Sequence, residues 1–152
     1  MVNNILWAAG TSGYLAVTTG LSTELNALAN GSLSAASGAI DNSAGQKAIY
    51  VDVEFNAGGT FTPVTPAYMW VWFLRSIDGT NYEDGSSSVQ PVRPPDAVVP
   101  ITAGSSITPR NNRPQCVMPP GKFKVLALNK TGATLPATGN TIKLGLYCES
   151  VN

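Results

Sequence analysis

The sequence contains no histidine, and only 12% of its 152 residues are charged. Without histidine, no serine or cysteine has the usual base that activates it, which excludes hydrolysis through a catalytic triad. Nine basic residues balance nine acidic ones without clustering, so a basic footprint for nucleic acid or an anionic membrane is absent. A nucleotide-binding loop and an apolar run of membrane-spanning length are also missing. We therefore expect a protein that is not an enzyme and that binds no cofactor, metal, nucleic acid or membrane.

Export signals and paired cysteines are equally scarce. Residues 1–7 lack the basic region and the long apolar stretch of a secretion signal, so synthesis in a cytoplasm is expected. Cys116 and Cys148 are the two cysteines. In a reducing compartment we expect both to be free, buried thiols, and a disulfide between them is the alternative.

Glycine and proline, by contrast, are abundant, with 15 and 11 residues. With the many serines, threonines and asparagines they indicate short strands joined by many turns. Residues 48–55 alternate in polarity, and their predicted inward face is Ile49, Val51, Val53 and Phe55. Seven or eight such strands, with no helix between consecutive ones, predict an all-β fold, a β-sandwich of jelly-roll or Greek-key type.

The N-terminal part of the chain has a different character from the rest. Residues 1–31 predict an extended arm that ends in one short helix, and residues 32–152 predict the sandwich domain. A helix of about two turns is unstable alone, so its apolar face, with Leu25 and Leu28, must dock on other protein. Trp7 is expected to anchor the arm to a neighbouring subunit or to the outside of its own sandwich.

The apolar run of residues 68–74 is the most informative segment, and Tyr68, Trp70 and Trp72 share one of its faces. Seven apolar residues in a row cannot alternate between core and solvent, so both faces of such a strand must be covered by protein. We expect the three rings to be buried between two sheets. Burial between subunits and a stacking platform for sugars or bases are the alternatives.

Polar residues offer weaker candidates. Asp52 and Glu54 have a spacing compatible with an inverting glycosidase pair. The simpler interpretation is an exposed strand face, on which Lys122 and Lys124 would lie opposite the carboxylates. The acidic loop 78–84 lacks the ligand spacing of a calcium site and is interpreted as a hydrophilic turn.

Arginines flank the proline-rich loops, where they suit either subunit contacts or simple solvation. The candidates for contacts between subunits are Trp7, Leu25, Leu28, Tyr68, Trp70, Trp72, Arg75, Arg110 and Arg113. They predict a symmetric homo-oligomer, with three subunits as the expected number.

In residues 21–31, 76–85 and 119–125 the chain reads LSTELNALANG, SIDGTNYEDG and PPGKFKV. In these segments, and in their order along the chain, it resembles small structural proteins encoded by tailed bacteriophages. The resemblance implies a β-sandwich of the virion, first of all a capsid decoration or cement protein that stabilises the head by bridging subunits of the major capsid protein. It implies as alternatives a receptor- or carbohydrate-binding module of a tail or fibre, or a tail adaptor. No catalytic residues come with the family.

Overall fold

The computed structural model of the chain describes residues 5–7, 14–43 and 48–151, with the backbone alone for residues 5–7 and 149–151. In these residues there are ten β-strands and one 3-10 helix, Thr23–Leu25. The strands are β1 Ile5–Trp7, β2 Ala16–Leu21, β3 Ile40–Asn42, β4 Tyr50–Asn56, β5 Tyr68–Arg75, β6 Ala97–Pro100, β7 Arg110–Val117, β8 Gly121–Lys130, β9 Thr141–Tyr147 and β10 Glu149–Val151.

The strands pair as one long hairpin rolled up on itself. β5 pairs with β6, β4 with β7, β3 with β8, β2 with β9 and β1 with β10, all antiparallel. Further pairing of β4 with β9 and of β5 with β8 completes two four-stranded sheets, in the orders β2-β9-β4-β7 and β3-β8-β5-β6. This is the strand order of a jelly roll. The predicted all-β sandwich is therefore confirmed, and the topology that the sequence left open is the jelly roll.

The main core lies between the two sheets. β4 supplies Val51, Val53 and Phe55, all fully buried, while the residues between them are partly exposed. The alternation predicted for this segment is therefore correct within the strand. Ile49, which was expected on the same face, lies just before the strand and is half exposed. Its backbone N–H donates to the carbonyl of Tyr147, and its carbonyl accepts from the backbone N–H of Met118.

A second hydrophobic cluster lies on the outer face of the β3-β8-β5-β6 sheet. Its buried members are Trp72, Leu74, Leu126 and Leu128, and Leu33, Ala36 and Trp70 pack against them. The same chain covers this face from two sides. Residues 33–37 run beside β8 through backbone hydrogen bonds, and the loop of residues 85–93 lies over β5. Both faces of the aromatic run are thus covered over most of its length, as the sequence required.

The N-terminal segment differs from the predicted arm. Residues 16–21 are an edge strand of the sandwich, and Leu25 is fully buried in the core. The expected two-turn helix is a single 3-10 turn, because Asn26 is extended and Ala27 takes a left-handed φ of 51°. Residues 16–31 are therefore part of the sandwich, and no change of structure coincides with the boundary predicted at residue 31.

Cys116 and Cys148 are free thiols, as expected, but of the two Cys116 is buried and Cys148 is partly exposed. They belong to β7 and to the residue after β9, and these two strands flank β4 on opposite sides. Adjacent strands are about 4.8 Å apart, so two cysteines separated by an intervening strand exceed the Cα distance of about 7 Å that a disulfide spans. Burial raises the pKa of the Cys116 thiol, which keeps it protonated and unreactive.

Candidate interaction surface

Two of the predicted contact residues pack in or against the core of their own chain, and the structure does not describe the side chain of a third. Leu25 is fully buried and Leu28 packs against the main core, so both serve the fold of their own chain. The backbone of Trp7 lies in β1, and its side chain lies outside the described residues. Its predicted anchoring role stays a prediction.

The large aromatic side chains of β5 lie on the outer face of their sheet, and not between the sheets as predicted. The side chains of β5 in the main core are Met69, Val71 and Phe73. Side chains alternate along a strand, so Tyr68, Trp70 and Trp72 point the other way. Trp72 is fully buried there, and its indole N–H donates to the carbonyl oxygen of Arg93 at 3.1 Å. The chain itself therefore seals one end of the aromatic face.

The other end of this face remains uncovered by the described residues. Tyr68 lies opposite Pro100 and Trp70 opposite Val98, so all four side chains share the outer face. We call these four residues the open strip. Tyr68 and Val98 are each 37% exposed, and the Lys130 ammonium lies 5.5 Å from the centre of the Trp70 ring. The open strip is an apolar surface with one cationic neighbour.

The loop that seals the aromatic face is held by Arg93. Its guanidinium donates to both carboxylate oxygens of Glu83 at 2.6 and 3.0 Å, to Asp96 at 2.7 Å, and to the Phe73 carbonyl at 2.9 Å. We call this set of bonds the Arg93 clamp. The hydrogen bond from Arg93 lowers the pKa of Glu83, and the bond to Glu83 raises the pKa of Arg93, so both groups stay charged over the ordinary pH range. The clamp ties the β5–β6 connection to β5 itself.

An open groove of about 980 Å³ lies beside the clamp. The backbone N–H groups of Asn81 and Thr80 donate to Asp78 at 2.7 and 2.8 Å, which holds the pKa of that carboxyl well below its usual range. These bonds make the hydrophilic turn that the sequence predicted. Ile77 is fully exposed at the groove, and Arg75 on its wall is half exposed. The groove is therefore bordered by a hydrogen-bonded turn, and it offers one exposed apolar side chain, Ile77, and one exposed cationic side chain, Arg75.

The outer face of the other sheet is polar. Tyr14 donates its hydroxyl to Asp52 at 2.7 Å, and this bond raises the pKa of Tyr14. Arg110 pairs with Glu54 at 2.9 Å, and both it and Arg113 are exposed on β7. The two lysines predicted opposite these carboxylates lie on β8 in the other sheet, so those ion pairs do not form. Each carboxylate has a nearer partner.

The structure thus brings Tyr68 and Trp70 together in the open strip and places Arg75 at the groove, whereas Arg110 and Arg113 lie on the other sheet. Sequence reasoning missed Val98 and Pro100 as members of the strip. Their place follows from the register of β6 against β5, which no local pattern specifies. These residues are suited to binding another molecule by contact. They provide an apolar surface, the Lys130 ammonium, and loops that hydrogen bonds already hold in place.

Among the described residues there is no group of three or more His, Cys, Asp or Glu side chains placed to hold a metal ion. The same residues include no helix with the length and apolarity needed to span a bilayer. No protein-family model, no curated protein and no solved structure matches the chain.

Proposed function

We propose that this chain is a non-enzymatic structural protein of a tailed-bacteriophage virion, and specifically a capsid decoration or cement protein. In this proposal it forms a homo-oligomer of three subunits that bridges subunits of the major capsid protein. The segments 21–31, 76–85 and 119–125, which resemble such proteins, support this role. The jelly roll supports it by analogy alone, because viral capsid proteins share that architecture with lectins and cupins.

The open strip is the observation that carries the proposal. Fully covering a large apolar side chain contributes about 1.5–3 kcal/mol, so covering the exposed third of Tyr68 and of Val98 adds roughly 0.5–1 kcal/mol each. The strip continues a hydrophobic cluster whose other end the chain seals with its own loop. A remaining apolar edge of this kind suits a partner protein.

The rigidity of the neighbouring loops supports the same role. The Arg93 clamp and the turn at Asp78 hold residues 77–96 through hydrogen bonds within the chain. A contact made with groups already in place loses little ordering entropy on binding. Ile77, fully exposed beside Arg75, adds a second apolar contact to that of the open strip.

A decoration protein acts by mass action. A protein that binds the assembled shell, and not its dissociated subunits, stabilises the shell by an amount that grows with the logarithm of its concentration over Kd. A contact that spans two capsid subunits also adds buried area that must be exposed before the shell opens. Three linked copies would strengthen the attachment further through effective concentration.

The test is to locate the protein on the particle. An antibody against the purified chain, combined with electron microscopy of particles of the virus that encodes it, is expected to label the head at regularly spaced positions. Labelling confined to the tail or fibres would favour the alternatives, and absence from the particle would overturn a virion role.

A matched pair of variants tests the part assigned to the open strip. Tyr68→Glu combined with Val98→Glu is expected to abolish binding to heads, because it places charge where apolar surface should be covered. Ile49→Glu combined with Val117→Glu changes two apolar residues elsewhere that are at least as exposed, and this double variant is expected to bind normally. Equal binding by both double variants would reject the strip as the contact.

A receptor- or carbohydrate-binding module of a tail or fibre is the second candidate. The exposed Tyr68 ring favours it, because aromatic faces stack on sugars. Trp72 is buried, and lysine ammonium groups lie over the rings of Trp70 and Tyr82, so these three rings are less open to a sugar. A rise in melting temperature with an oligosaccharide, lost in Tyr68→Ala, would favour this candidate over decoration.

A further inference from the structure

The β2 strand is an edge strand that lacks the usual protection against pairing with another chain. It ends the β2-β9-β4-β7 sheet, and Ala16–Leu21 contains neither a charge nor a proline. Val17 is 57% exposed, and Ala16 and Thr19 are exposed as well. Its irregularity lies at the far end, between Thr19 and Leu21, which leaves the first four residues in regular register. Unprotected edges of this kind are templates for a further strand.

The other three edges of the sandwich carry protective features. β7 has two exposed arginines, Pro114, and a register shift at which Gln115 takes a positive φ of 55°. β6 is four residues long and ends at Pro100, and β3 is three residues long with the charged Asp41 at its centre. Short length, proline, charge and bulges are the features that prevent edge pairing. Among the described strands of the sandwich, β2 is thus the edge left open.

The surroundings of β2 leave room for a neighbour. Beyond its pairing with β9, the backbone of residues 16–20 has no hydrogen-bond partner among the described residues. A groove of about 600 Å³ runs along this side, between Thr18 and Gly20 on β2 and Ser37 and Ala39 in the segment that leads into β3 of the other sheet. The two sheets are therefore apart at this edge, and side chains from an added strand have a space to enter.

We propose that the β2 edge pairs antiparallel with the β2 edge of a second copy of this chain. The two four-stranded sheets then join across a two-fold axis into one continuous eight-stranded sheet. A second copy is the occupant that the chain favours, because an uncharged strand meets its own copy without repulsion and the other edges are protected. The contact does not depend on the proposed virion role. It also lies away from the open strip, since β6 adjoins β7 at the other side of the sandwich.

The alternation of side chains limits the possible registers. Residues that face each other across an antiparallel pair lie on the same face of the sheet, so an odd-numbered residue must face an odd-numbered one. Within the four residues of β2 that are in regular register, Ala16 to Thr19, Val17 therefore lies opposite either Val17 or Thr19 of the second copy. Both residues are exposed, so both accept a change of side chain without loss of core.

Charge at these two positions tests the proposal in either register. Val17→Lys with Thr19→Lys places lysine opposite lysine, and Val17→Glu with Thr19→Glu places glutamate opposite glutamate. Asn112→Lys with Val117→Lys, on the protected edge strand β7, is the matched control. Each protein is studied by sedimentation velocity over a wide concentration range, with circular dichroism to establish that it is folded.

We expect the wild type and the control to associate through a two-fold step, and each β2 variant alone to associate at least about tenfold more weakly. An equimolar mixture of the lysine and glutamate variants should recover association as a mixed pair, which a merely destabilised strand would not do. A strictly monomeric wild type, or association unchanged by both β2 variants, would overturn the proposal. An oligomer broken by the open-strip variants alone would leave the virion proposal standing and reject the β2 contact.

Discussion

Removal of the Arg93 guanidinium is the perturbation for which the structure gives the clearest magnitude. In Arg93→Met the aliphatic part of the side chain is retained, whereas the bonds to Glu83, Asp96 and the Phe73 carbonyl are lost. The Arg93 side chain is 26% exposed, and those of Glu83 and Asp96 are 34% and 11% exposed, so solvent screens part of the loss. Asp96 also keeps the backbone N–H of Phe73 as a donor at 2.7 Å.

A hydrogen bond to a charged group contributes about 1.5–3 kcal/mol, and an exposed ion pair less than about 1 kcal/mol. For a partly screened set of such bonds we expect Arg93→Met to lower the free energy of unfolding by about 2–3 kcal/mol. Arg110→Met is the internal control, because it removes a single pair with Glu54 in which the arginine side chain is 68% exposed. Its expected cost is clearly smaller than that of Arg93→Met, because solvent screens this exposed pair.

Urea unfolding at neutral pH, followed by tryptophan fluorescence, measures both variants. Trp72 makes the probe suitable, because its indole N–H bonds to the Arg93 carbonyl. In a chain of this size the expected loss corresponds to roughly 4–12 °C in Tm. If Arg93→Met costs no more than Arg110→Met, the clamp does not hold the loop and the reasoning from its geometry is refuted.

The clamp should also respond to acid. The pKa of Glu83 in the folded protein is below its usual value, so the unfolded chain takes up this proton first as pH falls. The stabilisation is therefore fully present above about pH 4.3, the ordinary glutamate pKa, and is lost as pH falls through the lower folded value. The difference between the wild type and Arg93→Met should be constant from pH 5 to 7 and should shrink below about pH 4.

Four further substitutions, one of them a control, test other parts of the structure. A Cβ at Gly58 would overlap the backbone of a facing turn, so Gly58→Ala should cost more than about 3 kcal/mol in thermal unfolding, whereas Gly38→Ala meets nothing and should cost less than about 1 kcal/mol. Asn129→Ala removes a fully buried amide that bonds two backbone carbonyls, and should cost about 2–4 kcal/mol in urea. Asp52→Asn should return the pKa of Tyr14 towards the usual value of about 10 in an ultraviolet titration. Because that pKa is raised in the folded wild type, stability should fall as pH rises above about 10, and less so in the variant.

The β-sandwich can be predicted from the sequence because the patterns that indicate it lie within short segments of the chain. Alternation in residues 50–56 and the uninterrupted apolar run of residues 68–74 are visible without any knowledge of strand pairing. The turn at Asp78 is likewise a short-range feature, made by backbone donors two and three residues along the chain. The all-β sandwich and this turn, which depended on such patterns, agree with the structure.

Predictions that depended on long-range register did not agree. The strand β3 begins only at Ile40, because in the segment before it Ser34 and Ser37 use side-chain oxygens as well as backbone N–H groups to bond β8. This arrangement follows the edge of the sheet without forming a regular ladder, and polar residues give no periodic signal for it. The helix predicted near Leu25 failed for a related reason, since propensity over so few residues yields to tertiary packing.

The apolar run of residues 68–74 is compatible with two orientations of its strand in the sheet. A fully apolar run does not indicate which of its two faces points between the sheets, and here the smaller face, with Met69, Val71 and Phe73, takes that place. The space between packed sheets is about 10 Å, which suits side chains of that size. The larger rings must then be covered from outside, and the cover extends from the Arg93 clamp over Trp72 but stops short of Tyr68. An aromatic face that the chain covers at one end and leaves open at the other is the physical reason to look for a partner at the open strip.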